Sequence, residues 1–214
     1  MRDLRDIRGL KYPDEYVVRW FFKQGLHQRP GRLLELGSGV GNNLALPMAY
    51  GWNVDGVDLS QAALDDARHN LGPEAGLIHA DLSRGLPDAA LGPYDSVMVP
   101  NLLCYLTLGQ AETVLDQLKP RLKPGADVFL RTRLPDDHRC GRGAEIDVRT
   151  WRLDTPETGE QGLINRFYDE AELLELLTER LGLTGAVALK VKFDNPQGGM
   201  IVSNSDLVVW GRAG

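Results

Sequence analysis

The residues best suited to chemistry surround a glycine-rich turn that follows the first predicted strand. Glu35 comes just before Gly37, Ser38, Gly39 and Gly41. Glycines at alternate positions allow the chain to turn sharply, and they let a ligand approach the backbone with no Cβ atoms in the way. A carboxylate here would be poorly placed beside a pyrophosphate but well placed beside a cation. The turn is therefore predicted to bind a ligand that carries positive charge.

A second acid, Asp58, closes the next predicted strand, 52–57. In Rossmann-like units an acid about 20 residues beyond the glycines accepts two hydrogen bonds from a ribose diol. The alternative is a helix-capping or solvent-exposed aspartate, since a helix predicted over 61–70 follows directly, with Ser60 as its cap. The preceding glycine turn favours the ribose interpretation and therefore a nucleoside cofactor.

The spacing of the glycines discriminates between cofactors. A nicotinamide dinucleotide fingerprint has glycine at its first, third and sixth places, but here the sixth place is Asn42 and the third glycine, Gly41, comes one residue early. An acid followed by G-x-G-x-G resembles motif I of the class I S-adenosylmethionine-dependent methyltransferases. That resemblance implies S-adenosylmethionine as cofactor and S-adenosylhomocysteine as product, with Glu35, Ser38 and Asn42 beside the glycines in the binding turn.

The resemblance extends along the chain. Asp81 and Leu82 follow a third predicted strand, where the family typically has an acceptor for the adenine amino group and an apolar neighbour for the ring. Leu59 could supply the opposite face of the adenine. Asn101 follows a fourth strand, 94–100, where it could contact a substrate, hold the methionine end of the cofactor or serve only as a turn residue. The string Leu-Lys-Pro-Gly-Ala at 122–126 also resembles the family.

Such enzymes place a substrate nucleophile in line with the sulfonium methyl group, and positioning alone can lower the barrier by about 7–11 kcal/mol. No dedicated base is therefore required. Candidates for orienting or deprotonating the acceptor are Tyr16, Asn101, Tyr105, His138 and Tyr168. The sequence has neither the D/N-P-P-Y/F motif of nucleic-acid amino methylation after the fourth strand nor the acids of metal-dependent catechol-type enzymes.

Alternating strands and helices predict an α/β fold: a Rossmann-like, doubly wound, seven-stranded sheet that is mostly parallel and ends in an antiparallel hairpin. The hairpin strands are predicted at 185–193 and 205–210 and their link at 194–199. An N-terminal helix, 13–24, should pack on the sheet. It is also a possible lid, since Tyr12 and Tyr16 at its mouth could close over a sulfonium by cation–π attraction. Residues 1–214 are predicted to form one domain.

The alternation stops between 134 and 165, which favours a lid, a binding loop or inserted strands. We interpret this segment as a substrate-covering insertion. Arginines near its entrance suit an anionic methyl acceptor, or else they pair with Asp136, Asp137 and Glu145; they are Arg131, Arg133, Arg139 and Arg142. The spacing of Asp136, Asp137, His138 and Cys140 fits no standard metal site, so no metal is predicted.

Composition narrows the class of protein. The 214 residues are 43% hydrophobic with a net charge of −6 and no basic block, which disfavours a nucleic-acid partner. Two cysteines, no long apolar run and no apolar leader predict a cytoplasmic enzyme with no membrane span. A small-molecule methyl acceptor is expected, and the oligomeric state stays open. The alternatives are a nicotinamide-dependent Rossmann oxidoreductase and a non-catalytic S-adenosylmethionine-binding regulator.

Overall fold

The computed structural model describes residues 3–214. The helices are α1 (Glu15–Lys23), α2 (Ala45–Ala49), α3 (Gln61–Leu71), α4 (Leu108–Leu118) and α5 (Glu170–Leu181). The strands are β1 (Arg32–Leu36), β2 (Asn53–Asp58), β3 (Gly76–His79), β4 (Tyr94–Pro100), β5 (Leu122–Arg133), β6 (Gly143–Asp147), β7 (Thr150–Leu153), β8 (Ile164–Arg166), β9 (Thr184–Gln197) and β10 (Met200–Arg212).

Within these residues the main sheet has seven strands in the order β3-β2-β1-β4-β5-β10-β9. The first five strands in this order are parallel to one another, whereas β10 is antiparallel to both β5 and β9. The predicted Rossmann-like sheet with its C-terminal hairpin is confirmed. Because β1 to β5 run in one direction, their carboxyl ends lie along one edge, where α/β proteins bind ligands.

The two faces of the sheet are covered by different helices. Val17, Trp20 and Phe21 of α1 are buried on one face, in the same core as Leu33 of β1. The leucines of α4 and α5 are buried on the other face, where Leu34 also lies. Alternation along β1 assigns Glu35 to the α1 face together with Leu33. The strand therefore directs a carboxylate into an apolar layer.

Local hydrogen bonds set the starts of two helices, and α1 begins later than the predicted residue 13. Helix α1 begins at Glu15 because Asp14 is its N-cap and accepts a hydrogen bond from the Tyr16 amide. Helix α2 begins at Ala45, since the side chains of Asn42 and Asn43 are bonded elsewhere and hold a turn before it. The buried face of α1 shows that the helix is part of the core, and its possible role as a lid stays a prediction.

The C-terminal hairpin is longer than predicted. Most of the predicted link, 194–199, belongs to the strands, and the turn consists of Gly198 and Gly199 with φ of 57° and 80°. Two successive residues with positive φ match the tight turn that suits the twist of a hairpin. Pro196 is tolerated inside β9 because this is an edge strand of the sheet.

The segment 134–165 contains inserted strands, one of the three forms that the sequence left open. Strands β6, β7 and β8 form a separate antiparallel sheet in that order. Strand β8 also packs on a short 3-10 turn at Leu103–Tyr105, which follows β4. The insertion therefore lies at the carboxyl edge of the main sheet, beside the predicted ligand site.

Candidate functional site

The glycine turn and Asp58 form one hydrogen-bonded unit. The amides of Gly37 and Ser38 donate to the carbonyl of Val57, at 2.8 and 3.1 Å. The Gly39 amide donates to Oδ2 of Asp58 at 2.7 Å, and the Ser60 amide donates to Oδ1 at 2.8 Å. Asp58 thus holds the amide of Ser60, which is the N-cap of α3, and also fixes the turn. Each carboxylate oxygen has a further lone pair that could accept from a ligand, so the predicted ribose contact stays a prediction.

A cavity of about 460 Å³ opens beside this unit at the carboxyl ends of β1 to β4. The segments at the carboxyl ends of β1, β2, β3 and β4 form most of its wall, and the insertion supplies the rest. The lining residues are Gly37, Asp58, Leu59, Ala80, Asp81, Leu82, Ser83, Leu102, Tyr105, Leu106, Leu163 and Ile164. The structure therefore brings Gly37, Asp58, Leu59, Asp81 and Leu82 together, as the sequence predicted.

Asp81 follows β3 and accepts a hydrogen bond from the Ser83 amide at 3.0 Å, which caps the 3-10 turn Leu82–Arg84. Hydrogen bonding from Ser83 lowers the pKa of Asp81 below its ordinary value. The side chain is therefore a carboxylate at neutral pH and can only accept hydrogen bonds. That chemistry suits an exocyclic amino group, with Leu82 as the apolar neighbour.

Glu35 is buried on the α1 face and does not line the cavity. Its Oε1 accepts from Nδ2 of Asn43 at 2.7 Å, while Oε2 has no hydrogen-bond partner among residues 3–214. Burial raises the pKa of Glu35 to about 8, and the charges of Asp58 and Asp14 add to the effect. Glu35 is therefore protonated below that pH. The predicted direct contact with a cation would require it to ionise.

Asn43 connects Glu35 to a charged cluster that sequence reasoning missed. Its Oδ1 accepts from the Asp14 amide at 2.9 Å, and the Asp14 carboxylate pairs with Arg131 at 2.5 Å. Arg131 also pairs with Asp206 and lies 5.7 Å from the ring centroid of Tyr16. Only the polar Asn-Asn pair could have signalled this cluster, because its other members are far apart in sequence.

Three further residues that the sequence predicts to contact the cofactor are not among the residues that line the cavity. Asn42 donates to the carbonyl of Tyr12, so its amide ties the N-terminal segment to the turn. Ser38 is buried, and Asn101 is exposed with a φ of 55°. Neither Asn42, Ser38 nor Asn101 belongs to the cavity wall. Their predicted contacts with a cofactor stay predictions.

Tyr105 is the catalytic candidate that reaches the cavity. Its hydroxyl donates to Glu160 at 2.7 Å, and Arg133 lies 3.3 Å from the same oxygen. Burial raises the pKa of Tyr105 far above its ordinary value, with the charges of Cys104 and Glu160 adding to it. Because its proton is donated to Glu160, the hydroxyl is unsuited to act as a base at neutral pH. Its ring still forms part of the wall.

His138 and Tyr168 do not reach the cavity, contrary to their selection as candidates. His138 pairs with Glu157 of the insertion at 2.8 Å. Tyr168 is fully buried in the core beside α5, where its ring lies 5.0 Å from the guanidinium of Arg166. Both positions indicate structural roles. Tyr16 and Asn101 flank Arg131 instead: the Asn101 amide donates to the Arg131 carbonyl at 2.8 Å.

The arginines near the insertion are paired with carboxylates of the protein. Arg131 has Asp14 and Asp206, Arg133 has Glu160, and Arg139 has both Glu160 and Asp137. The exposed Arg142 donates to the carbonyl of His138. The pairing that was predicted as the alternative is therefore the one found, although most partners differ and three of the arginines are largely buried. The argument for an anionic acceptor loses its basis.

Gly41 is needed for packing as well as for turning. Its φ is 76°, and a Cβ there would lie 2.7 Å from Cδ1 of Leu71 in α3. We expect Gly41→Ala to lower the free energy of unfolding by about 2 kcal/mol, since strain of this kind costs about 1–2 kcal/mol before the clash. Gly125→Ala is the matched control, because Gly125 has a φ of 75° and open space around it. If urea denaturation gave the same loss of unfolding free energy for Gly41→Ala and Gly125→Ala, the clash with Leu71 would contribute nothing.

The fold and site define an α/β protein with a nucleoside-sized cavity at the carboxyl edge of its sheet. The chain belongs to the methyltransferase-domain family: a family model described as "Methyltransferase domain" matches residues 10–186. With its sheet topology, the chain is a class I methyltransferase by family and fold. The nicotinamide oxidoreductase alternative is therefore wrong.

Individual relatives match in part. A protein-L-isoaspartate O-methyltransferase of Chromobacterium violaceum is 37% identical over 76 residues, which are 34% of this chain and 33% of that protein. The chain thus matches only about a third of that relative's length.

Two solved structures are similar along most of the chain. One is a methyltransferase from Methanosarcina mazei, with TM-score 0.69 and 18% identity. The match covers 90% of this chain and 97% of the Methanosarcina chain. The other is the 1,6-didemethyltoxoflavin-N1-methyltransferase of Burkholderia thailandensis with bound S-adenosylhomocysteine, with TM-score 0.67 and 20% identity, covering 93% and 76%. At these identities the likeness establishes the fold.

Across residues 3–214, no helix is both long enough and apolar enough to cross a bilayer.

Proposed function

We propose that the protein transfers the methyl group of S-adenosylmethionine to a nucleophile of a small molecule. The observation that carries the proposal is the single cavity shared by Gly37, Asp58 and Asp81, which follow three adjacent parallel strands. Asp58 would accept from the ribose hydroxyls and Asp81 from the adenine amino group, with Leu59 and Leu82 against the base. The bound cofactor supplies an electrophilic methyl group on a sulfonium.

The local chemistry supports this cofactor. Two carboxylates and several apolar side chains form the wall, and among residues 3–214 no arginine or lysine lines the cavity to receive a pyrophosphate. Gly39 has φ of 51° and open space where a Cβ would stand, so the turn leaves room for a ligand close to its backbone. Carboxylates without a cationic partner in the lining favour a donor that is uncharged or positively charged.

The chain's own contribution would be binding and orientation. Cys104 is buried, and burial raises the pKa of its thiol to about 11, so it is not an activated nucleophile. Tyr105 holds its proton toward Glu160. The other candidates for orienting an acceptor, Tyr16 and Asn101, lie beside Arg131 and outside the cavity wall. An enzyme built in this way accelerates the reaction mainly by alignment.

The small-molecule acceptor is supported by the neighbour that acts on 1,6-didemethyltoxoflavin. A protein acceptor is the second candidate, because the relative from Chromobacterium violaceum is named for a protein substrate. The exposed Tyr12, with 67% of its surface accessible, offers a contact for such a larger partner. A screen of metabolites and of peptides with labelled methyl donor separates the two.

Replacing Asp58 tests the cofactor site. Asp58→Ala should weaken S-adenosylhomocysteine binding by at least about 100-fold, since two hydrogen bonds to a charged group are lost and each contributes about 1.5–3 kcal/mol. Isothermal titration calorimetry measures the change. Asp58→Asn keeps one acceptor oxygen, so its affinity should lie between those of the wild type and Asp58→Ala. Because Asp58 also holds the Gly39 and Ser60 amides, thermal melting must show that each variant is folded.

Asp65→Ala is the matched control, because this carboxylate lies in α3 and is bonded to the side chain of Gln61. It should leave the affinity unchanged. If wild type and Asp58→Ala bind S-adenosylhomocysteine equally, the ribose assignment is wrong. If the wild type binds the cofactor product tightly but transfers no methyl group in the screen, the protein is a regulator instead of an enzyme.

A further inference from the structure

The wall of the cavity that the main sheet does not supply comes from the insertion. Leu163 and Ile164 line the same space as Asp58 and Asp81. Leu163 is 47% exposed, and the pair is flanked by Gly162 and the polar Asn165. Because these two apolar side chains line a cavity, they are suited to contact an apolar part of a ligand.

This wall is held in place from two sides. On one side, backbone hydrogen bonds join Leu153 of β7 to Gly162 and Leu163 at 2.8 and 2.9 Å. On the other side, Glu160 binds Tyr105 and Arg133, each at 2.7 Å, next to the carboxyl ends of β4 and β5. The segment that carries Leu163 and Ile164 is therefore attached both to the insertion sheet and to the main sheet.

The charges behind the wall are internally balanced. Arg133 and Arg139 face Glu160 and Asp137, which gives two positive and two negative groups, all buried or nearly so. These ion pairs attach the insertion to the main sheet, and because the charges neutralise one another they do not attract a charged ligand. What the insertion offers to the cavity is consequently apolar surface, which suits the face of a heteroaromatic base.

We propose that the insertion is part of the cofactor site, with Leu163 and Ile164 contacting the base of the nucleoside cofactor. This inference rests on the function proposed above. It assigns two binding residues to a segment whose sequence predicts a substrate cover. It also gives the buried cluster a role, which is to hold the apolar pair against the cofactor.

The test compares alanine variants by calorimetry with S-adenosylhomocysteine and with 5′-methylthioadenosine, which keeps the nucleoside and lacks the amino-acid end. Leu163→Ala and Ile164→Ala should each lower affinity about five- to tenfold, because apolar surface against the base is lost. The loss should be the same for both ligands. Val148→Ala is the matched control: Val148 lies in the insertion, is 68% exposed and is not part of the cavity wall. It should change affinity less than twofold.

Two outcomes overturn the inference and are distinct from failure of the proposed function. Wild-type affinity in both Leu163→Ala and Ile164→Ala, with folding verified by thermal melting, would show that the insertion does not contact the cofactor. A loss seen with S-adenosylhomocysteine but absent with 5′-methylthioadenosine would place the contact at the amino-acid end. If the wild-type protein itself bound neither ligand, the proposed function would fall.

Discussion

Glu35→Gln is expected to abolish about 3 kcal/mol of the decrease in unfolding free energy that the wild-type protein shows between pH 5 and pH 8. Burial, reinforced by the charges of Asp58 and Asp14, raises the pKa of Glu35 from 4.5 to about 8 in the folded protein. Within that interval the unfolded chain has released a proton that the folded chain still holds. The stability contributed by the neutral carboxyl is therefore complete below about pH 4.5 and is lost as the pH rises to 8.

Glutamine keeps the shape of the neutral carboxyl group and cannot ionise. Its curve of unfolding free energy against pH should therefore be flatter than that of the wild type, with the largest difference at pH 8. Urea denaturation at pH 5, 6.5 and 8 provides the measurement. Glu74→Gln, at an exposed site, controls for the loss of one carboxylate. Parallel curves for the wild type and Glu35→Gln would show that Glu35 ionises normally in the folded state.

Glu160→Ala is expected to destabilise the protein by about 3–5 kcal/mol, because removing one partner from a buried ion pair leaves the other charges uncompensated. Burial opposes the ionisation of Glu160, but Arg133, Tyr105 and Arg139 together outweigh it and lower its pKa. The substitution would leave Arg133 without its carboxylate. It would also release the segment before β8 from the main sheet.

Urea denaturation gives the size of this effect, and hydrogen exchange shows where it acts. Exchange should accelerate first in β7 and β8, since Glu160 joins the insertion to the ends of β4 and β5. The matched control is Glu145→Ala, which removes an exposed carboxylate from β6 of the same insertion. If the two variants were equally stable, the buried cluster would contribute nothing to the fold.

The positions of the glycine turn and of the acids at the ends of β2 and β3 were predictable because they depend on local backbone and on strand polarity. Gly37, Asp58 and Asp81 each follow a strand, and parallel strands bring their carboxyl ends together without further information. The partners of Arg131 and Arg133 were not predictable in the same way. Asp14 lies 117 residues from Arg131 along the chain, and no periodicity connects them.

His138 and Tyr168 show the limit of selecting residues by type. Both residue types can do acid–base chemistry, but the insertion pairs His138 with Glu157 and the core encloses Tyr168. Burial and pairing are properties of the assembled chain. A short sequence window contains neither.

The sequence by itself determined the order of strands and helices, the sharp turn at Gly37 to Gly41 and the acids that close β2 and β3, because hydrophobic periodicity and glycine content act over a few residues. Tertiary structure alone decided that Glu35 is buried and protonated, that the arginines neutralise carboxylates of the protein, and that the insertion supplies a wall of the cavity. Each of these depends on groups from distant segments meeting in a low-dielectric interior, where charges persist only when they are paired.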